Sequence, residues 1–204
     1  MPDYHFESLA LDTGAKLVAG VDEAGRGPLA GPVTAAAVIL DINNVPPGLD
    51  DSKRLSRARR EDLYPVILSC ADVSVASASV AEIDDINILQ AALLAMRRAL
   101  AGLKQVPQHA LIDGNRLPEN LCCDARSIVK GDALSLSIAA ASIVAKVSRD
   151  RLMVDLAQQF PGYGWDHNAG YGTKAHFEGL RRLGVTPHHR HSFKPIHNIL
   201  YQEN

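Results

Sequence analysis

Two adjacent carboxylates directly before a glycine-rich turn are the residues of this sequence most suited to chemistry. Asp22 and Glu23 follow the apolar run at 17–21 and precede the Gly-Arg-Gly turn at 25–27. Glycine lets the backbone approach a ligand closely, and Arg26 offers a planar cation for phosphate. Two carboxylates beside a phosphate-binding loop would repel the bound phosphate unless cations lie between them and the phosphate. The stretch therefore indicates a metal-dependent enzyme that acts on a phosphodiester.

Two further acids stand at the ends of predicted elements. Asp113 closes a short apolar strand, and Asp132 precedes a long alanine-rich helix. Acids at strand ends and at a helix start can converge on one edge of a sheet. Mg²⁺ and Mn²⁺ prefer such hard oxygen ligands, and three or four carboxylates can hold two ions about 4 Å apart. Crowded in this way, at least one acid should titrate abnormally and the acids should titrate as a coupled set.

Asp22 and Glu23 share a site only under one structural condition. Neighbouring residues of a regular strand point to opposite faces of the sheet. The chain must therefore depart from strand geometry near the two acids, and the turn at 24–25 is expected to supply that departure.

The elements that position these acids are predicted from hydrophobic periodicity and from capping and turn residues. The helix at 56–69 has Ser56 as its N-cap, and the helix ending at Leu183 has Thr173. The strands cluster first and then alternate with helices, which predicts an α/β fold with a mixed sheet covered by helices and a helical C-terminal extension. The predicted strands are 17–22, 33–40, 71–79, 110–113 and 127–130, and the helices are 56–69, 80–103, 133–159, 173–183 and a last stretch from 186.

Size and composition fit a single globular enzyme. The chain has 204 residues, is 47% hydrophobic and carries a net charge of −2. No apolar run approaches the roughly 18 residues of a membrane span, and the polar N-terminus does not predict a secretory signal. Three cysteines without a CxxC pair argue against disulfides and structural zinc, so a cytoplasmic protein without membrane contact is expected. Basic clusters at 53–60 and 188–194 are either solvated faces or a rim that meets an anionic substrate.

An ordered series of short motifs resembles the ribonuclease HII family, the type 2 RNases H. Each motif is short, but their joint occurrence in this order is specific, and the resemblance runs from residue 17 to about residue 195. The matching segments are 20–32, 51–56, 83–89, 111–115, 130–132, 138–151, 170–173 and 188–193.

The resemblance implies an RNase H-like fold and hydrolysis with two divalent ions, Mg²⁺ or Mn²⁺. One ion would activate water and the other would stabilise the departing 3′ oxygen. By match, Asp22, Glu23, Asp113 and Asp132 are the catalytic carboxylates and metal ligands. The implied domain division is an N-terminal segment at 1–16, a catalytic core at 17–160, and a C-terminal loop and helices at 161–204 that complete the substrate site.

The implied activity is that of an endoribonuclease. It would cut RNA in RNA/DNA hybrids and cut 5′ of a single ribonucleotide in duplex DNA, leaving 3′-hydroxyl and 5′-phosphate ends. Its roles would be the removal of ribonucleotides and RNA primers from DNA, and the chain is expected to act as a monomer. The resemblance says nothing about protein partners.

Substrate contacts are carried over from the family residue by residue. Gly25, Arg26 and Gly27 resemble the loop that senses the ribose 2′-hydroxyl, largely through backbone groups, and this hydroxyl is what distinguishes RNA from DNA. Tyr171 resembles the tyrosine that stacks on the next sugar, which favours an RNA–DNA junction. Lys53 resembles a phosphate contact near the scissile bond. Weaker candidates for contacts to the nucleic-acid backbone are Ser52, Thr173 and Lys174.

Competing assignments concern other acids and two other functions. Asp150 would lie about 27 Å along the predicted helix from Asp132, so both cannot serve one metal pair, and pairing of Asp150 with Arg149 and Arg151 is favoured. Asp84 and Asp85 are interpreted as helix caps. A dinucleotide-binding loop is disfavoured because a strand rather than a helix follows the glycines. A noncatalytic hybrid-binding module would not need four acids.

Histidines and aromatic residues of the C-terminal region admit two interpretations. The histidines at 188, 189 and 191 lack the spacing of a zinc site, and face either substrate phosphates or solvent. The aromatic side chains Phe160, Tyr163 and Trp165 could stack on bases, but packing of their loop onto the core is favoured.

Overall fold

The computed structural model describes residues 1–201, which form one mixed five-stranded sheet between helices, as predicted. The strand order is β3-β2-β1-β4-β5, with β1 antiparallel to β2 and parallel to β4. The strands are β1 (Val18–Ala24), β2 (Val33–Leu40), β3 (Ala71–Ala78), β4 (His109–Asp113) and β5 (Asp124–Ile128).

Seven α-helices accompany the sheet within the described residues. They are α1 (His5–Asp12), α2 (Arg57–Cys70), α3 (Val80–Ala101), α4 (Leu136–Gln159), α5 (Trp165–Asn168), α6 (Lys174–Leu183) and α7 (Lys194–Tyr201). Ser56 caps α2 and Thr173 caps α6, as the sequence predicts. No helix in residues 1–201 is long and apolar enough to cross a membrane.

The sheet is buried on both faces because helices α3 and α4 pack on opposite sides of it. All eight residues of β2 are buried, and the core divides into one cluster with α3 and one with α2 and α4. Helix α4 approaches β1 so closely that a side chain at Gly20 would lie 2.1 Å from the Ser137 carbonyl carbon. The alanines of α4 therefore serve close packing, which holds the helix start beside the end of β1.

Several boundaries differ from the predictions for local reasons. Strand β5 occupies 124–128 rather than 127–130, since it has a single fully buried residue and little apolar signal. Helix α4 begins at Leu136 rather than 133, because a 3-10 turn at Gly131–Ala133 precedes it. The last helix begins at Lys194 and not at 186. Helix α1 was not predicted; it is short and has no side-chain N-cap.

Asp84 and Asp85 do not cap a helix, so that prediction is wrong. Both lie inside α3, whose N-cap is Ser79. Asp84 instead accepts hydrogen bonds from the amides of His191 and Ser192. A kink follows at Asn87, which has a positive φ of 66° and accepts from the amides two and three residues later. The hydrogen bonds of Asp84 thereby join the C-terminal region to α3.

Helix α1 is fastened to the start of α4 by one buried carboxylate. Oε1 of Glu7 accepts hydrogen bonds from the Ser137 amide at 2.8 Å and from the Ser135 and Ser137 hydroxyls. Ser135 is the N-cap of α4. The N-terminal segment therefore packs on the helix that follows Asp132.

Candidate active site

Three of the four predicted carboxylates meet at one edge of the sheet. Asp22 lies on β1, Asp113 ends β4 and Asp132 lies in the 3-10 turn before α4. Since Val21 pairs with Ile112 in the parallel ladder, the next residue of each strand brings Asp22 beside Asp113. Each of the three offers an oxygen, and these atoms all lie within 4.8 Å of one another.

Burial and mutual repulsion perturb this group as predicted. Asp22 is only 4% exposed, and burial, followed by the charges of Glu23 and Asp113, holds its pKa well above 3.8. Burial also raises the pKa of Asp113, with a further contribution from Asp132. The Gly131 amide donates to Asp113 at 2.7 Å and partly opposes that shift. Without a cation, the group therefore favours partial protonation.

The donor set of this group fits a hard divalent cation. Its three ligands are carboxylate oxygens, which Mg²⁺ and Mn²⁺ prefer, and no cysteine or histidine belongs to it. A cation would relieve the repulsion that raises the pKa values of Asp22 and Asp113. The repulsion itself thus supports Asp22, Asp113 and Asp132 as the residues that would hold such an ion.

Glu23 lies outside this group of three, although it borders the same pocket. The expected departure from strand geometry does not occur, because β1 continues through both acids and Ala24 still pairs with Thr34. The Glu23 carboxylate accepts instead from Arg26 Nη1 at 3.4 Å. Its charge nevertheless reaches Asp22 and raises the pKa of that residue, after burial.

Lys53 supplies a positive charge to the acidic group from the loop before α2. Its Nζ donates to Asp132 Oδ2 at 3.0 Å and lies 3.8 Å from Asp51 Oδ1. Partial burial disfavours the charged lysine, but the hydrogen bond to Asp132 prevails and raises the pKa of Lys53. The neighbouring Ser52 is buried, and its amide donates to the Ser142 hydroxyl on α4, which fixes the base of the loop.

An open pocket of about 300 Å³ collects most of the predicted site. Thr173 and Lys174 do not line it: the Thr173 hydroxyl caps α6, and Lys174 lies 3.9 Å from Glu178 on the exposed face of that helix. The predicted residues that do line the pocket are Asp22, Glu23, Gly25, Arg26, Gly27, Ser52, Lys53, Asp113 and Tyr171.

The Gly25 loop (residues 25–32) lines this pocket with its first three residues. Within residues 1–201, the amides of Gly25, Arg26 and Gly27 have no protein acceptor. A side chain at position 27 would lie 3.3 Å from the Tyr171 ring, so the loop packs closely against that ring. The Tyr171 ring is 47% exposed and free to stack on a ligand.

Lys146 and Arg149 also line the pocket and were missed as site residues. They stand three positions apart on α4, a spacing that places two residues on one helix face and could have identified them. Asp150 pairs with Lys146 at 2.7 Å, and Arg151 with Glu61, so the expected pairing of Asp150 with Arg149 and Arg151 is wrong.

Arg149 is buried together with Arg190, and the partners of both are backbone carbonyls. Burial lowers the pKa of Arg149 to about 10 and that of Arg190 to about 9. Both guanidinium groups therefore remain protonated at neutral pH. No carboxylate within residues 1–201 forms an ion pair with either group.

The C-terminal aromatic residues pack inward, as favoured from the sequence, and so does one histidine. Tyr163 and Trp165 are buried in a cluster of their own. His189 is buried as well and meets His176 at 3.0 Å between the Nε2 atoms, so it faces neither phosphate nor solvent. Burial and the nearby His176 lower the pKa of His189 to about 4.

Comparisons with known proteins agree with the motif series. The family model described as "Ribonuclease HII" matches residues 19–196. A curated relative named "Ribonuclease HII" from Cereibacter sphaeroides is 65% identical over 202 residues, covering 99% of this chain and 95% of the relative.

Solved structures show the same architecture. The ribonuclease H2 of Pyrococcus horikoshii superposes with a TM-score of 0.75 at 29% identity, covering 90% of this chain and 96% of that one. Bst-RNase HIII, solved in complex with Mn²⁺, is similar with a TM-score of 0.73 over 94% of this chain and 71% of its own, and at 19% identity supports the fold alone.

Proposed function

The chain belongs to the ribonuclease HII family, and from this premise we propose how its site acts on RNA joined to or paired with DNA. As a member, it is an endoribonuclease for RNA in RNA/DNA hybrids. The proposal adds that it cuts 5′ of a single ribonucleotide embedded in duplex DNA and leaves 3′-hydroxyl and 5′-phosphate ends. It would then serve the removal of ribonucleotides and RNA primers from DNA.

One juxtaposition carries the proposal: three carboxylates lie beside a loop whose first amides have no acceptor in the described part of the chain. Asp22, at the end of β1, is separated from Gly25 by two residues, and both border one pocket. Amides that bind a 2′-hydroxyl at this point would hold the adjoining phosphodiester near the carboxylates. The 2′-hydroxyl is the group by which a protein distinguishes RNA from DNA at a given site.

Two divalent ions, Mg²⁺ or Mn²⁺, would be held by Asp22, Glu23, Asp113 and Asp132. When bound, such ions supply an activated water and charge stabilisation at the phosphate and the leaving oxygen. Asp22, Asp113 and Asp132 each offer an oxygen within 4.8 Å of the others, which is close enough for them to gather around one ion. Glu23 borders the same pocket and would be the fourth ligand, although its Oε1 lies 3.4 Å from Arg26 Nη1.

The remaining pocket residues bind and orient the substrate. Lys53, exposed on one side and bonded to Asp132 on the other, would contact the phosphate beside the scissile bond. The exposed Tyr171 ring would stack on the sugar that follows the ribonucleotide, where a hydroxyl would crowd it. Ser52, which lines the pocket, would contact the nucleic-acid backbone there, while Thr173 and Lys174 would reach only the nucleic acid outside the pocket. All these groups come from one chain, so the proposed site needs no residue from a second subunit and action as a monomer remains part of the proposal.

A panel of matched substrates tests the proposal. An RNA/DNA hybrid, a DNA duplex with one ribonucleotide and the same duplex without it are each incubated with Mg²⁺, with Mn²⁺ and with EDTA. We expect both ribonucleotide-containing substrates to be cut with either metal, and no cutting of the all-DNA duplex or in EDTA.

Two results would revise the proposal in different ways. Cutting of the hybrid alone would retain the ribonuclease and exclude recognition of a single ribonucleotide. Equal cutting of the all-DNA duplex would exclude the Gly25 loop as a sensor of the 2′-hydroxyl.

A further inference from the structure

Two buried arginines bind the inner side of the Gly25 loop. Arg190 donates four hydrogen bonds: from Nε to Gly31 O, from Nη1 to Arg26 O, and from Nη2 to the carbonyls of Gly25 and Pro32. Its side chain is fully buried. A buried charge is costly unless each donor finds a partner, and here the carbonyls of one loop supply these partners.

Arg149 joins the Gly25 loop to the loop that carries Tyr171. Its Nε donates to Pro32 O at 3.0 Å and Nη2 to Ala30 O at 3.1 Å, whereas Nη1 donates to Ala169 O at 2.9 Å. Ala169 lies two residues before Tyr171. One rigid guanidinium fork thus sets the spacing between the two loops.

The arginines also explain which way the loop amides point. The carbonyls of Gly25 and Arg26 are turned inward to Arg190, while the amides of Gly25, Arg26 and Gly27 have no protein acceptor within residues 1–201. A side chain at Gly25 would lie 1.9 Å from Arg149 Nε. Glycine is therefore required at position 25 by the arginine beneath it, quite apart from the substrate above it.

We propose that Arg149 and Arg190 are positioning residues for ribonucleotide recognition: they hold the loop carbonyls inward, so that the amides face the 2′-hydroxyl and the Tyr171 ring keeps its distance from them. The inference rests on the proposed function, since it presupposes that these amides bind the hydroxyl. Neither arginine touches the substrate in this account. Their effect is on selectivity as well as on rate, because a misplacement of about 1 Å can cost about 100-fold.

Lysine substitutions provide the test, since they keep the charge but replace a planar fork by a single ammonium group. Arg149→Lys and Arg190→Lys are compared with the wild type and with Arg151→Lys, whose arginine pairs with Glu61 at the surface. The substrates are DNA duplexes that carry one 2′-hydroxyl nucleotide or the same nucleotide with 2′-fluorine, which is a poor hydrogen-bond acceptor. Single-turnover rate constants are measured on both.

We expect the wild type and Arg151→Lys to prefer the hydroxyl strongly. In Arg149→Lys and Arg190→Lys the rate on the hydroxyl duplex should fall about 10- to 100-fold, and the preference over fluorine should fall with it. A merely structural role would lower the fraction of active enzyme and leave both rate constants and their ratio unchanged. That result would overturn the inference.

Different results would exclude recognition of the 2′-hydroxyl and the positioning role of the arginines. If the wild type cuts the hydroxyl and fluorine duplexes equally, 2′-hydroxyl recognition fails and the positioning role fails with it. If the wild type discriminates and both lysine variants discriminate equally well, only the positioning role fails.

A measurement without arginine variants covers the case in which they do not fold. In Asp22→Asn protein, the Nε–H signals of Arg149 and Arg190 are followed by NMR as each duplex is added. We expect a shift with the hydroxyl duplex that the fluorine duplex does not produce. Identical spectra with the two duplexes would overturn the inference.

Discussion

At the scale of single residues, the burial of Asp22 determines the chemistry of the site. A carboxylate that is 4% exposed and faces two other acids is held where a cation or a proton must compensate it. An ordinary surface acid would need neither. The same residue therefore accounts for the metal dependence that we expect and for a cost in stability when the metal is removed.

Asp22→Asn should abolish turnover and stabilise the metal-free protein at neutral pH. Because the pKa of Asp22 is raised, the native state binds more protons than the unfolded state above pH 3.8, so the carboxylate lowers stability as pH rises from there to its native pKa. Asparagine removes that penalty. Thermal unfolding in EDTA at pH 4 and pH 7 measures it; a variant that gains nothing at pH 7 relative to pH 4 would contradict the shift.

Tyr171→Ala should reduce cleavage at a single ribonucleotide more than cleavage of a long hybrid. A base stacked on an aromatic ring gains about 1–3 kcal/mol, and a loss of that size at the sugar contact would correspond to roughly 5- to 150-fold in rate. Tyr171→Phe is the matched control, since it keeps the ring and should retain most activity. Equal losses on the two substrates would exclude a role of Tyr171 at the junction.

At the scale of elements, the ends of strands and the starts of helices position the carboxylates. Asp113 was predictable because it ends an apolar strand, and Asp132 because it precedes a long helix. The Arg149 and Arg190 contacts were not predictable, because their carbonyl partners are up to 165 positions away and leave no local pattern. The expected departure from strand geometry at Glu23 was wrong for a related reason: the pairing with β2 continues β1 through Glu23 to Ala24.

The Tyr171 loop is held by two neutral histidines. His176 Nδ1 lies 3.0 Å from Tyr171 O and must donate to it, so His176 Nε2 accepts from Trp165 Nε1. The Thr186 amide donates to His189 Nδ1, which leaves His189 Nε2 to donate to His176. A proton added to the acceptor nitrogen of either histidine would leave two N–H donors facing each other without an acceptor.

Stability should therefore fall as pH decreases from about 6.5 to about 4. The unfolded state binds a proton at His189 near 6.5 and the native state only near 4, so acid favours unfolding across that interval. His189→Asn should show a smaller loss of melting temperature over the interval, and the exposed His5→Asn should behave as the wild type. Equal losses in all three proteins would contradict a neutral His189.

At the scale of the whole molecule, one sheet covered on both faces holds the carboxylates, and the C-terminal region supplies the Tyr171 loop and Arg190. The sequence was sufficient for the layered architecture, because strand and helix periodicities are strong in the core. It was insufficient for the bounds of β5, which has a single fully buried residue, and for α1, which has no side-chain N-cap. The site is therefore an assembly of distant segments that only the folded chain brings together.

Mapping the cut in a DNA duplex with one ribonucleotide tests where the enzyme cleaves and which ends it leaves. Both fragments are sized at nucleotide resolution in Mg²⁺, and their ends are tested with a ligase that requires 5′-phosphate and 3′-hydroxyl. The account predicts a single cut on the 5′ side of the ribonucleotide and fragments that can be religated. A cut on its 3′ side would contradict the expected position, and a 2′,3′-cyclic phosphate end there would mean that the ribose hydroxyl, and not water, attacks the phosphate.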